Sequence, residues 1–121
     1  MNRKRVVVLA RAGAARERTE AAIVQAGADV AALLDPATAS EDEVRAAAPD
    51  VLLVILDALV EQALDRFDAV LGDPALEILF DDADVAAKRD TWETARWARH
   101  LQAKLHGHDD VLPPAPDAAA T

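Results

Sequence analysis

A chain of 121 residues, 52% apolar and 29% charged, is sized and balanced for one domain with a buried core rather than for disorder. The absence of cysteine excludes disulfides, thiolate–zinc centres and thiol nucleophiles. Its 22 acidic and 13 basic side chains give a net charge of -9, a surface that repels phosphate backbones and anionic headgroups and so disfavours nucleic-acid and membrane-surface roles.

Arg5 to Ala10 is β-branched and nearly continuous, as a strand covered on both faces should be. Gly13 breaks it, and residues 14–26 then follow helical spacing, with Ala15, Thr19, Ala22, Ile23 and Ala26 on one face. Gly27 supplies a left-handed cap. A second strand, Asp29 to Leu34, ends at Asp35-Pro36. Ser40 and Glu43 have the spacing of a capping box and open a short helix that stops before Pro49. Val51 to Leu56 is the most apolar run and the candidate central strand, far short of the roughly 20 residues that cross a bilayer. Val60, Ala63, Leu64, Phe67, Val70 and Leu71 predict one helix ending at Gly72-Asp73-Pro74. Leu76 to Phe80 reads as a fourth strand, and no fifth apolar run follows. From about Asp90 to His106, Trp97, Ala98, Leu101 and Leu105 share a helical face. The division expected is a domain over 1–106 and a Pro-, Ala- and Asp-rich linker or tail over 107–121. The basic start, Arg3 to Arg5, precedes an apolar run too short for a signal-peptide core, so a cytoplasmic location is expected.

The order β-α-β-α-β-α-β-α predicts an α/β fold: an open parallel sheet with helices on both faces, its fifth strand missing or degenerate. Ligands of such sheets gather at the carboxyl ends of the strands. Asp57 follows the central strand, and Asp81, Asp82 and Asp84 follow its neighbour. Carboxylates grouped there can hold Mg²⁺, or Asp57, Asp81 and Asp84 can be turn residues and helix caps. No GxGxxG, GxxxxGK[ST] or GxSxG motif exists among four glycines and the single serine, Ser40, so phosphate-loop chemistry and serine hydrolysis are not expected. His100, His106 and His108 lie in the last helix and its exit, where a helix C-terminus favours imidazolium and a chelate with Asp109 and Asp110 is the alternative. Trp97 falls on the core stripe; Trp92 points away from it and is a candidate interface anchor. Arg3, Lys4 and Arg5 are expected to be solvated.

Pro49-Asp50, the apolar run Val51 to Leu56 and then Asp57 resemble the third strand of a two-component receiver domain, where a Pro-Asp dipeptide precedes the strand that carries the phosphoacceptor aspartate. Asp57 comes about two positions late, a shift that keeps it on the same face of a strand. The family's acidic pair after the first strand is replaced by Leu9-Ala10-Arg11-Ala12, and its Ser or Thr after the fourth by Asp81-Asp82. Arg11 would compete with a cation and is able to pair with Asp57. The resemblance therefore implies a degenerate receiver without a cofactor, with Asp57 as a vestigial phosphoacceptor and Asp81 and Asp82 as a possible acidic pocket. The alternative is a phosphorylatable receiver using Asp57 with Mg²⁺. Glu77 to Asp82, Thr91-Trp92, Ala95 to Arg99 and Leu101 to Leu105 also resemble the atypical N-terminal domain of chemotaxis protein-glutamate methylesterases of type IV pilus systems. That likeness implies a non-catalytic module that docks on a protein partner or an attached effector domain.

Overall fold

The computed structural model describes residues 3–110 and alternates strands with helices along the chain. The elements are β1 (Arg5–Leu9), α1 (Ala14–Gln25), β2 (Asp29–Leu34), α2 (Glu41–Ala46), β3 (Val51–Leu56), α3 (Ala58–Ala63), a 3-10 turn (Leu64–Phe67), α4 (Asp68–Leu71), β4 (Glu77–Asp82), α5 (Ala83–Lys88) and α6 (Thr91–Asp110). The strands form one parallel sheet ordered β2-β1-β3-β4, so the expected α/β class holds, and among the described residues the sheet has four strands. No helix among those residues is long and apolar enough to cross a membrane.

The two central strands are apolar throughout because each alternate residue meets a different helical layer. Val6, Val8, Leu53 and Ile55 pack with Ile23 of α1 and Leu101 and Leu105 of α6. Val7, Leu9, Leu52 and Val54 pack on the opposite face with Val44, Val60, Phe67 and Val70. In β2 a bulge after Val30 places Ala31 and Ala32 on the same layer and returns Leu33 to the other. Both α5 and α6 pack on α1, leaving α2, α3 and α4 alone on the second face. There, among the described residues, no helix covers the outer half of β4: Phe80 is 55% exposed and belongs to neither cluster.

Gly27 takes a φ of +84° after α1, the left-handed turn that its missing Cβ permits. The Ser40–Glu43 capping box forms in both directions. After α2, Ala48 takes a φ of +51°, consistent with the steric veto that Pro49 places on a right-handed residue before it. Arg5 stabilises that turn, donating through Nη2 to the Ala47 carbonyl at 2.6 Å and through Nε to the Ala48 carbonyl at 3.1 Å. Arg5 is exposed, as expected of the strand entry, and in addition clamps the end of α2, while Arg3 pairs with Asp29 at 3.4 Å.

One long helix was expected over residues 60–71, and the structure breaks it at Phe67, whose φ and ψ are -115° and 18°. The cause is tertiary hydrogen bonding. Glu41 of α2 accepts from the Val70 amide at 2.9 Å, and Arg66 turns away to the carbonyls of Pro36 and Ala39. Helix α6 runs through Gly107 to Asp110, past the boundary expected at 106; residues 111–121 of the expected tail lie outside the described residues.

Candidate functional site

The strand order reverses between β1 and β3, where chains leaving the two strands diverge to opposite faces and open a crevice. Arg11 leaves β1 into this crevice and Asp57 leaves β3. Their side chains meet: Arg11 Nε donates to Asp57 Oδ2 at 2.8 Å. The other oxygen of Asp57 accepts from the Val60 amide at 2.8 Å, which makes Asp57 the N-cap of α3. Burial alone would push the Asp57 carboxyl up. The Val60 amide, the Arg11 guanidinium and the Leu59 amide outweigh it and hold the group below its usual value.

That shift has a direction in pH. A carboxyl depressed in the folded state contributes stability above its unfolded value, about 4, and loses it as pH falls through the folded value. Asp57→Ala is therefore expected to cost about 1–2 kcal/mol near pH 7, through the lost cap and ion pair. The gap between wild type and variant should narrow below about pH 4, as urea unfolding at stepped pH would read.

Arg11 stands between two hollows. One, of about 240 Å³, is lined by Ala10, Gly13, Ile55, Asp57, Asp84 and Ala87. The other, of about 290 Å³, lies toward Asp35, Pro36, Leu59, Gln62 and Arg66. Neither Asp81 nor Asp82 lines the hollow that holds Asp57; Asp84 does. Asp81 and Asp82 are the last two residues of β4, and strand alternation sends them apart. Asp81 points under α5 and accepts both Arg89 guanidinium nitrogens, at 2.7 and 3.1 Å. Asp82 is the N-cap of α5 and accepts from the amides of Asp84 and Val85. Of the cap candidates Asp57, Asp81 and Asp84, Asp57 caps a helix, whereas Asp81 pairs with Arg89 and the cap of α5 is Asp82.

Among the described residues no group of three or more His, Asp or Glu side chains is placed to hold a metal ion. A receiver's divalent cation needs carboxylates converging beside the phosphoacceptor. Here the guanidinium of Arg11 stands against Asp57 Oδ2 at 2.8 Å, and Asp84 is the other carboxylate lining the same hollow.

On α6, Trp92 is 63% exposed with the Arg96 guanidinium 5.5 Å from its ring centre. Trp97 is half-buried rather than fully in the core, with Arg89 stacked 4.9 Å from its centre. His100 is exposed, and the side chains of His106, His108, Asp109 and Asp110 lie outside the described ones. Two groups of contacts had no legible signal in the sequence. One is the Asp81–Arg89–Trp97 stack. The other is Arg18, which donates to the carbonyls of Ala87 and Arg89 at the end of α5.

Comparison with protein-family models, with curated proteins and with solved structures finds no match for this chain.

Proposed function

We propose that the chain is a receiver-like regulatory module that has lost phosphoryl chemistry and acts by binding protein. The observation that carries this reading is the Arg11–Asp57 bond of 2.8 Å at the switch point of the sheet. A β2-β1-β3-β4 parallel order matches the first four strands of a flavodoxin-like sheet and supports a receiver ancestry. Phosphoryl transfer to a carboxylate needs a cation against the developing negative charge and an in-line approach to a free oxygen. Asp57 has both oxygens engaged, one capping α3 and the other bound by Arg11, and the positive charge beside it is a guanidinium rather than a divalent ion.

The sequence likeness to the N-terminal domain of chemotaxis methylesterases gives the setting. In this reading the chain is a bacterial chemosensory regulator, cytoplasmic, and non-catalytic. Any methylesterase activity belongs to a partner or an attached catalytic domain. The exposed aromatic residues Phe80 and Trp92 support a protein-binding role, since large exposed apolar side chains are where interfaces are anchored.

Incubation with acetyl phosphate and Mg²⁺, followed by intact mass spectrometry, tests the chemistry. No phosphoryl adduct is expected on the wild-type chain. An adduct that disappears in Asp57→Asn would establish the alternative, a phosphorylatable receiver.

A further inference from the structure

The outer edge of β4 is the least finished part of the sheet. Its inner neighbour is β3, and the Glu77 amide donates toward that side, to the Asp50 carbonyl at 3.2 Å. By the two-residue alternation of a parallel strand, Ile78 and Phe80 turn both N–H and C=O outward. The next outward amide, that of Asp82, is already taken by the Asp81 carboxylate at 2.9 Å. Among the described residues no strand pairs with this side of β4, so Ile78 and Phe80 form a short, bounded length of strand edge open to β-strand addition.

Charge around this edge is uneven. Between Asp29 and Val85 acidic residues outnumber basic ones fifteen to two, whereas Lys88 to Lys104 holds five basic residues and two acidic ones. A cleft of about 220 Å³ runs between β4 and α6, floored by Leu53, Leu79, Trp97 and Leu101, with Phe80 on one lip and His100 and Lys104 on the other. Arg96 lies one turn before His100 on the same side of α6, next to the exposed Trp92. Glu93, which lines the same side of α6 as Arg96 and His100, is occupied in a capping box with Asp90.

From this we propose that the free edge of β4 accepts an extended segment of a partner protein that alternates apolar and acidic residues. Its main chain pairs with Ile78 and Phe80, its apolar side chains cover the bare Phe80 face, and its carboxylates reach Arg96, His100 and Lys104. The proposal rests on the interaction-module reading and names the partner's chemistry. A second copy suits the edge poorly: antiparallel pairing of two β4 strands centred between Leu79 and Phe80 sets Glu77 opposite Asp82.

Amide NMR of the full chain, titrated with a short blocked peptide of alternating valine and aspartate, tests this. Saturable shifts at the Ile78 and Phe80 amides and the Trp97 indole are expected. The double variant Arg96→Glu, Lys104→Glu should weaken binding about tenfold. Absence of saturable shifts at β4, or equal binding of a peptide with lysine in place of aspartate, would overturn the proposal. So would β4 shifts that follow protein concentration without peptide, which would assign the edge to a second copy. Shifts at β4 on replacing Val111 and Leu112 with serine would assign it to the chain's own C-terminal segment and likewise overturn the proposal. Failure of any of these kinds leaves the acetyl phosphate result untouched, so the loss of this edge and the loss of the degenerate-receiver reading are read separately.

Discussion

Replacing Arg89 with alanine is expected to lower the free energy of unfolding by about 2 kcal/mol, below the roughly 3–5 kcal/mol for stripping one partner from a fully buried ion pair because this pair is part-buried. The side chains of Arg89 and Asp81 are 14% and 10% exposed, and the carboxylate accepts from both guanidinium nitrogens. The loss has three parts. Asp81 keeps a partly buried charge against the Asp82 amide, Trp97 loses the cation stacked on its ring, and the turn from α5 into α6 loses its tie to the sheet. Urea unfolding followed by tryptophan fluorescence measures it, with Trp97 next to the change and Trp92 in solvent as a steady background. The charge explanation has its own control. Asp81→Leu combined with Arg89→Met should recover much of the loss, because replacing both members of a buried pair by apolar groups is often nearly neutral. A double variant as unstable as Arg89→Ala would mean that packing at α5, not the charge left behind, set the cost.

Phe67→Ala is expected to cost about 3–5 kcal/mol, the range for emptying a fully buried phenylalanine site. Phe67 is fully buried among Val44, Val54, Val60 and Val70, so the strands and helices around it cannot close the space without moving together. Against a domain stability of about 5–15 kcal/mol this is a large fraction, and partial unfolding at room temperature is the expected result. The chain's other phenylalanine is the comparison. Phe80 is 55% exposed, and Phe80→Ala should change stability by less than about 1 kcal/mol. Thermal unfolding of the two variants side by side separates the residue that holds the core from the one left at the sheet edge.

These two residues also show how far the sequence could be read. Phe67 belongs to the stripe Val60–Leu71, and its periodicity correctly assigned it to a buried face. The same periodicity predicted one helix, because nothing local announces that Glu41 and Arg66 spend their hydrogen bonds across the fold. The strands were legible to within a residue or two, since β-branched runs such as Val6-Val7-Val8 and Val51 to Leu56 have few other ways to bury both faces. The fourth strand was read as ending at Phe80, and it continues through Asp81 and Asp82. Aspartate weakens a strand signal, yet pairing with Ile55 and Leu56 of β3 carries the ladder on. That extension changed the site. It sent Asp81 inward to Arg89 and Asp82 onto α5, away from the hollow beside Asp57.

The Arg11–Asp57 contact was the most legible part of the site, because strand order alone brings the residues after β1 and β3 together. The role of Arg5 was hidden. Its partners are backbone carbonyls 42 and 43 residues away, and carbonyls carry no sequence label. The bare edge of β4 was foreshadowed by the missing fifth apolar run. Its exposed phenylalanine and basic rim emerged only when α5 and α6 were both found on the α1 side.

The central claim is that the corner built by Arg11 and Asp57 no longer answers to a phosphoryl group. Amide NMR of the folded chain, titrated with Mg²⁺ and then with beryllofluoride as a phosphoryl mimic, tests it most directly. The expected result is a spectrum that stays flat at Arg11, Asp57 and Asp84 through both additions. Saturable shifts there, abolished by Asp57→Asn, would contradict the claim and make the chain a working phosphorylation switch.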